Sequence, residues 1–182
     1  MRKLAIALTL LAGPAFASGL EITIEGEGAN GVVMIDLLED VAPEHVAQIT
    51  ALAAEGAYDG VVFHRVIEGF MAQTGDVQYG KGEGDLRRAG SGKSERPNLK
   101  AEFSDVPYER GVVGMARAQS PDSANSQFFI MFAPGYFLNG QYTVIGRVTE
   151  GMDIVDAIKR GEGRNGSVQG QPDMMQTVKV TD

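Results

Sequence analysis

Between Phe63 and Asp76 the chain sets an arginine, several large apolar side chains and a glutamine on one short stretch, Phe-His-Arg-Val-Ile-Glu-Gly-Phe-Met-Ala-Gln-Thr-Gly-Asp. Side chains alternate faces along a strand, so Arg65 is expected to share a face with Phe63 and Ile67. Beyond a turn at Gly69, Met71 and Gln73 share a face, with Phe70 beside them. This puts a permanent cation next to an apolar patch and an amide, a combination suited to a ligand that is greasy and carries a carbonyl.

Two more segments bear on the same chemistry. Gly111–Ala118 is small and apolar and then exposes backbone at Arg117. In Gln127-Phe128-Phe129-Ile130, Phe128 and Ile130 share one face and read as core, whereas Phe129 shares its face with Gln127 and need not be buried.

Other chemistries lack their residues. With no cysteine, disulfides, zinc–thiolate centres and thiol catalysis are excluded. The two histidines lie far apart, so no metal site is expected, nor any other cofactor. His45 reads as a solvated residue on the outer side of a helix. His64 reads as a buried, hydrogen-bonded structural residue on the strand face opposite Arg65. Ser126 has no nucleophile-elbow glycines around it. Gly90-Ser91-Gly92-Lys93-Ser94 fails as a phosphate loop, because Arg87 stands where a glycine is needed and Pro97 blocks a following helix. Asn165-Gly166-Ser167 reads as a turn. Among the scattered carboxylates, Glu102 beside Phe103 stands out as a candidate buried anchor.

The elements that must position these residues are mostly short strands between glycine-rich turns. Strands are predicted at Leu20–Glu25, Val32–Leu38, Val61–Val66, Phe70–Thr74, Gly111–Ala116, Gln127–Phe132, Tyr142–Val148 and Thr177–Val180. Eight such strands favour a closed barrel or a sandwich. Helices are predicted from Pro43 to Glu55, stopped by Gly56, and from Met152 to Arg160, closed by Gly161. Residues 77–98, glycines interleaved with charges, read as a long mobile surface loop, and 160–171 as a shorter polar one.

A chain of 182 residues fits one domain. Its first 17 residues pattern as a secretory signal peptide: Arg2 and Lys3, an apolar run from Leu4 to Ala12, then Pro14 and Ala15-Phe16-Ala17. The reading is therefore a signal peptide over 1–17 and one domain over 18–182, exported to the periplasm. No later segment is long and apolar enough to span a membrane. The net charge of −8 argues against nucleic acid as a partner.

With these residues in place, a resemblance becomes specific. Phe63-His64-Arg65-Val66-Ile67-x-Gly69-Phe70-Met71-x-Gln73-x-Gly75-Asp76 resembles the central motif of the cyclophilin peptidyl-prolyl isomerases. Gly114-Met115-Ala116-Arg117-Ala118 with Ser126–Ile130 is similar to a second block of that family, and Leu138-x-Gly140 through Gly151-Met152 to a third. The resemblance implies a closed eight-stranded antiparallel β-barrel capped by two α-helices, acting as a monomer on proline-containing polypeptides. It implies that Arg65 is the catalytic arginine. Phe70, Met71, Phe129 and Leu138 would form the proline pocket, Gln73 and Gln127 the amide positions, and Ala116 with Arg117 the edge that docks peptide backbone. Tyr142 stands where many members carry histidine. Phe137 replaces a tryptophan and so removes an indole donor, which implies weak cyclosporin binding. Glu68, Thr74 and Arg117 also depart from the usual residues. The alternative is a module that grips proline segments without turnover.

Overall fold

The computed structural model describes residues 19–182; the expected signal peptide lies outside them. Among the described residues nine strands run in chain order: β1 (Gly19–Glu25), β2 (Gly31–Leu37), β3 (Val61–Val62), β4 (Arg65–Ile67), β5 (Met71–Thr74), β6 (Val112–Met115), β7 (Phe128–Met131), β8 (Val144–Glu150) and β9 (Met174–Thr181). Helices α1 (Pro43–Ala54) and α2 (Met152–Ala157) complete the regular elements, with short 3-10 turns between them.

All nine strands belong to one curled sheet in the order β3-β9-β1-β2-β8-β6-β7-β5-β4. Every pairing in it is antiparallel. The expected closed eight-stranded barrel is thus corrected to a nine-stranded half-barrel, in which no ladder joins the end strands β3 and β4. The physical cause is a break in what reads as one strand, Val61–Val66. At Phe63 the backbone leaves the β3 ladder, where its N–H donates to the carbonyl of Asp173, and the chain resumes as β4 at the other end of the sheet. The break also separates Phe63 from Arg65. Phe63 points into the core with Val66, while Ile67 packs on the opposite side.

Burial follows the period-two pattern where one face is wet. In β1, Leu20, Ile22 and Ile24 are buried while Glu21, Thr23 and Glu25 face outward. The inner core combines them with Ile35, Phe128 and Ile130, with Val46, Ile49 and Leu52 of α1, and with Val155 of α2. Among the described residues no helix is long and apolar enough to cross a membrane.

Helix α1 starts and stops as the sequence indicates, whereas α2 is shorter than expected. Helix α1 has Pro43 in its first turn and Ala42, which lacks a capping side chain, at its N-cap. The cap comes instead from a distant loop, where Glu102 accepts from the N–H groups of Glu44 and His45 at 3.2 and 3.1 Å. His45 is completely buried, with its ring Nδ1 2.6 Å from the same carboxylate. The expected solvated His45 is therefore corrected, and Glu102 is the anchor anticipated, though part-buried and not buried. Helix α2 stops at Ala157 rather than Arg160, because Asp173 captures the N–H of Lys159 at 2.7 Å and holds the chain extended.

Candidate active site

The site is built on the hairpin β4–β5. Its register pairs Arg65 with Gln73 and Ile67 with Met71, so all four side chains stand on the outer face. The next strand continues the same face, with Gln73 opposite Phe129 and Met71 opposite Met131. These residues open a second apolar cluster on the outside of the sheet: Met71, Tyr108, Val112, Phe129, Met131, Leu138 and Val144. Phe129, left open by sequence, is 5% exposed within it.

Gly114 makes this cluster possible. It lies opposite Phe129, and an added Cβ there would sit 2.6 Å from the Phe129 ring. Over the bare backbone Tyr108 and Phe129 stack, with centroids 5.8 Å apart and planes at 21°.

The cluster opens at one side into a cavity of about 270 Å³, lined by Arg65, Phe70, Met71, Gln73, Ala116, Arg117, Phe129, Phe137, Leu138 and Tyr142. The fold thus brings together every expected site residue except Gln127. Phe137 forms the rim, 66% exposed, its ring 5.5 Å from that of Phe70. Arg117 closes another edge, with its guanidinium 4.3 Å from the Tyr142 ring centroid and donating to the carbonyl of Gln141 at 2.9 Å.

Arg65 is half-buried and held without a counter-ion among the described residues. Its Nε donates to the carbonyl of Asn165 at 2.8 Å, and its Nη1 donates to Oε1 of Gln73 at 3.0 Å. Burial lowers its pKa, and nearby Tyr142 works the other way; a guanidinium remains charged regardless.

Gln127 stands behind this wall. Its Oε1 accepts from Nε2 of Gln73 at 2.9 Å, and its own Nε2 donates to the carbonyls of Gly90 and Gly92 at 3.1 and 2.8 Å. It lines an adjoining hollow instead of the apolar cavity. The amide chain ends on a loop that Asp76 organises: the buried carboxylate accepts from the N–H groups of Gln78, Tyr79, Gly90 and Gly92. The loop expected to be mobile is pinned at these points.

His64 lies beneath that loop, 8% exposed. Burial lowers its pKa to about 4, opposed by Asp76. It is the buried histidine expected; neither ring nitrogen meets strict hydrogen-bond geometry, but the Val62 backbone and the Gln127 side chain lie close enough to favour its cation.

Residues 20–181 match the family described as cyclophilin type peptidyl-prolyl cis-trans isomerase/CLD. The chain belongs to the cyclophilin family. It is accordingly an enzyme of the peptidyl-prolyl cis-trans isomerase class, acting on proline-containing peptides. This cyclophilin is 57% identical over 170 residues to a probable peptidyl-prolyl cis-trans isomerase of Brucella suis, across 92% of this chain and 85% of the relative. It is 37% identical over 153 residues to peptidyl-prolyl cis-trans isomerase B of Escherichia coli, across 79% and 88% of the two chains. A crystal structure of a cyclophilin from Hirschia baltica superposes with a TM-score of 0.71 at 26% identity, covering 88% of this chain and 72% of that one.

Sequence reasoning missed Tyr108, Gly114 as a spacer, Asp76 and Asn165. Local signals existed for Asp76 and Gly114, which stand in the motif blocks without a role assigned there, and for Asn165, in a turn-forming Asn-Gly pair that Gly166 completes at φ +68°. Nothing near Tyr108 in sequence announces a ring stacked under Phe129.

Proposed function

We propose that this cyclophilin accelerates X–Pro rotation by differential binding of the twisted amide, with Arg65 as its catalytic residue. Amide resonance sets a barrier of about 18–20 kcal/mol to peptide rotation. A roughly 10⁵-fold acceleration requires about 7 kcal/mol of transition-state stabilisation, and no covalent bond to the enzyme. In the twisted state the imide nitrogen becomes pyramidal and regains its lone pair. Arg65 donates a charge-assisted hydrogen bond to that nitrogen, or to the carbonyl oxygen as it swings. Such a donor in a partly dry site supplies about 3–4 kcal/mol.

The observation that carries this reading is a guanidinium without a carboxylate partner at the edge of an apolar notch. A clamp that only gripped proline segments would have no use for that cation. Phe70, Met71, Phe129 and Leu138 hold the proline ring, with Phe137 and Tyr142 at the rim. Gln73, Ala116 and Arg117 dock the flanking peptide, and Gln127 orients Gln73.

The test is a protease-coupled prolyl peptide assay at low temperature. Arg65→Ala is expected to lower kcat/KM by roughly 10²–10³-fold while the folded state persists. Full activity in that variant would remove the mechanism and leave a binding module.

The cellular part of the proposal is assistance to proline-limited folding in the periplasm, after cleavage behind Ala17. It is supported by the basic, apolar and small-x-small order of residues 1–17. Fractionation and N-terminal sequencing of the mature protein test it; a cytoplasmic chain still carrying Met1 would contradict it.

A further inference from the structure

On the far side of Arg65 from the apolar notch lies a separate hollow of about 370 Å³. Arg65 and Gln73 form the shared wall, and Arg87, Arg88, Ser91 and Asn165 are among the residues of the other sides. No aspartate or glutamate lines it. That is unusual on a chain of net charge −8.

The cations there are not equivalent. Arg87 is neutralised by Asp85, with a contact of 2.6 Å. Arg88 makes no ion pair among the described residues. Its guanidinium lies 3.7 Å from the ring centroid of Tyr79, and Nη2 donates to the Tyr79 hydroxyl at 2.6 Å. An aromatic face holds the cation in place without cancelling its charge. Arg65 likewise has no acidic partner. The nearest buried anion, Asp76, sits behind Gly90 and is occupied by backbone N–H groups. Two guanidinium groups without an ion-pair contact among the described residues therefore line one hollow, with Asp85 acting on Arg88 only through space, and one of them also faces the prolyl site.

From this geometry we infer a charge-selective subsite: the hollow takes an aspartate or glutamate side chain of the substrate, flanking the proline, with Arg88 as the specificity-determining residue. This rests on the isomerase reading above and deepens it. A carboxylate there would complete the shells of both cations, while a lysine would be repelled by them. The subsite is open to water, so the preference is moderate and fades with salt, because the screening length is about 10 Å at 0.1 M.

The test uses short prolyl peptides carrying Glu, Gln or Lys at each position from two before to two after the proline. Cis–trans exchange is followed by NMR, without a coupling protease. For the wild type, kcat/KM for the Glu peptide should exceed that for the Lys peptide by roughly fivefold to tenfold at one position at low ionic strength. The ratio is taken within each enzyme, so a uniform change in activity cancels. Arg88→Gln should bring it close to one, and Arg88→Glu should invert it. A ratio within twofold of one at every position, or a preference that survives both substitutions, overturns the subsite while the isomerase reading stands. Absence of turnover for all peptides overturns the isomerase reading and the subsite with it.

Discussion

Strand β1 alternates buried and wetter side chains along its length, whereas every residue of β7 is buried. Both strands supply the inner core, β1 through Leu20 and Ile22, β7 through Phe128 and Ile130. The difference lies on the outer face. There β7 presents Phe129 and Met131 to a second apolar cluster, which includes Tyr108 and Leu138 and opens into the cavity that Arg65 helps to line. A sheet that coats part of its outer surface with apolar side chains must cover them, and an incomplete cover leaves a pocket. On the proposed reading the inner cluster serves stability and the outer one serves binding, and they are separated by the thickness of one strand.

The contrast is sharpest at adjacent residues. Phe128→Ala should lower stability by about 3–5 kcal/mol, because the hole it leaves is enclosed, while kcat/KM per folded molecule stays near wild type. Phe129→Ala should cost only about 2 kcal/mol, since its hole drains into the open pocket, yet lower kcat/KM at least tenfold, roughly. Urea titrations paired with activity measurements decide it. Equal activity losses from the two changes would show that the clusters are not functionally separate.

His64, between the core and the loop, has a folded pKa of about 4 against about 6.5 for an unperturbed histidine. Burial disfavours its cation, so the unfolded chain binds the proton more readily between those values. Its contribution is complete above about pH 6.5 and is lost as pH falls toward 4, up to about 3 kcal/mol. The drop in stability from pH 7 to 4.5 should be about 2–3 kcal/mol larger in wild type than in His64→Gln. Activity should stay flat from roughly pH 6 to 9, because His64 remains neutral and Arg65 charged. A steep activity change near neutrality would make His64 part of the chemistry.

The smallest effect belongs to the distant cap. Burial raises the pKa of Glu102, but hydrogen bonds from the His45 ring and from the His45 and Glu44 N–H groups outweigh it, and the net shift is downward. A lowered carboxylate stabilises above its unfolded pKa and loses that contribution as pH falls through the folded one. Glu102→Gln should cost about 1 kcal/mol at pH 7, with the gap from wild type closing below roughly pH 4. A gap that persists undiminished at pH 3 would mean that the charge is not what matters.

The face shared by Arg65, Ile67, Met71 and Gln73 was legible from sequence because strand alternation is strict and Gly69 fixes the turn. Strict alternation also misled, by joining Phe63 to Arg65 across a kink that no local residue marks. His45 reads as a surface position on the helix alone, because the carboxylate that buries it lies fifty-seven residues away. For the same reason the stack of Tyr108 on Phe129 left no trace near Tyr108.

The residues proposed to meet a prolyl peptide, and the antiparallel strands that carry them, are properties of the sequence, because side-chain type and period-two spacing are local. Whether Arg65 stands free of a counter-ion, whether Phe129 lines a wall or fills a core, and which cations share the second hollow were decided by tertiary structure. Each depends on which distant backbone and side chains the curled sheet brings within a few ångströms, and charge pairing and burial are set by that proximity alone.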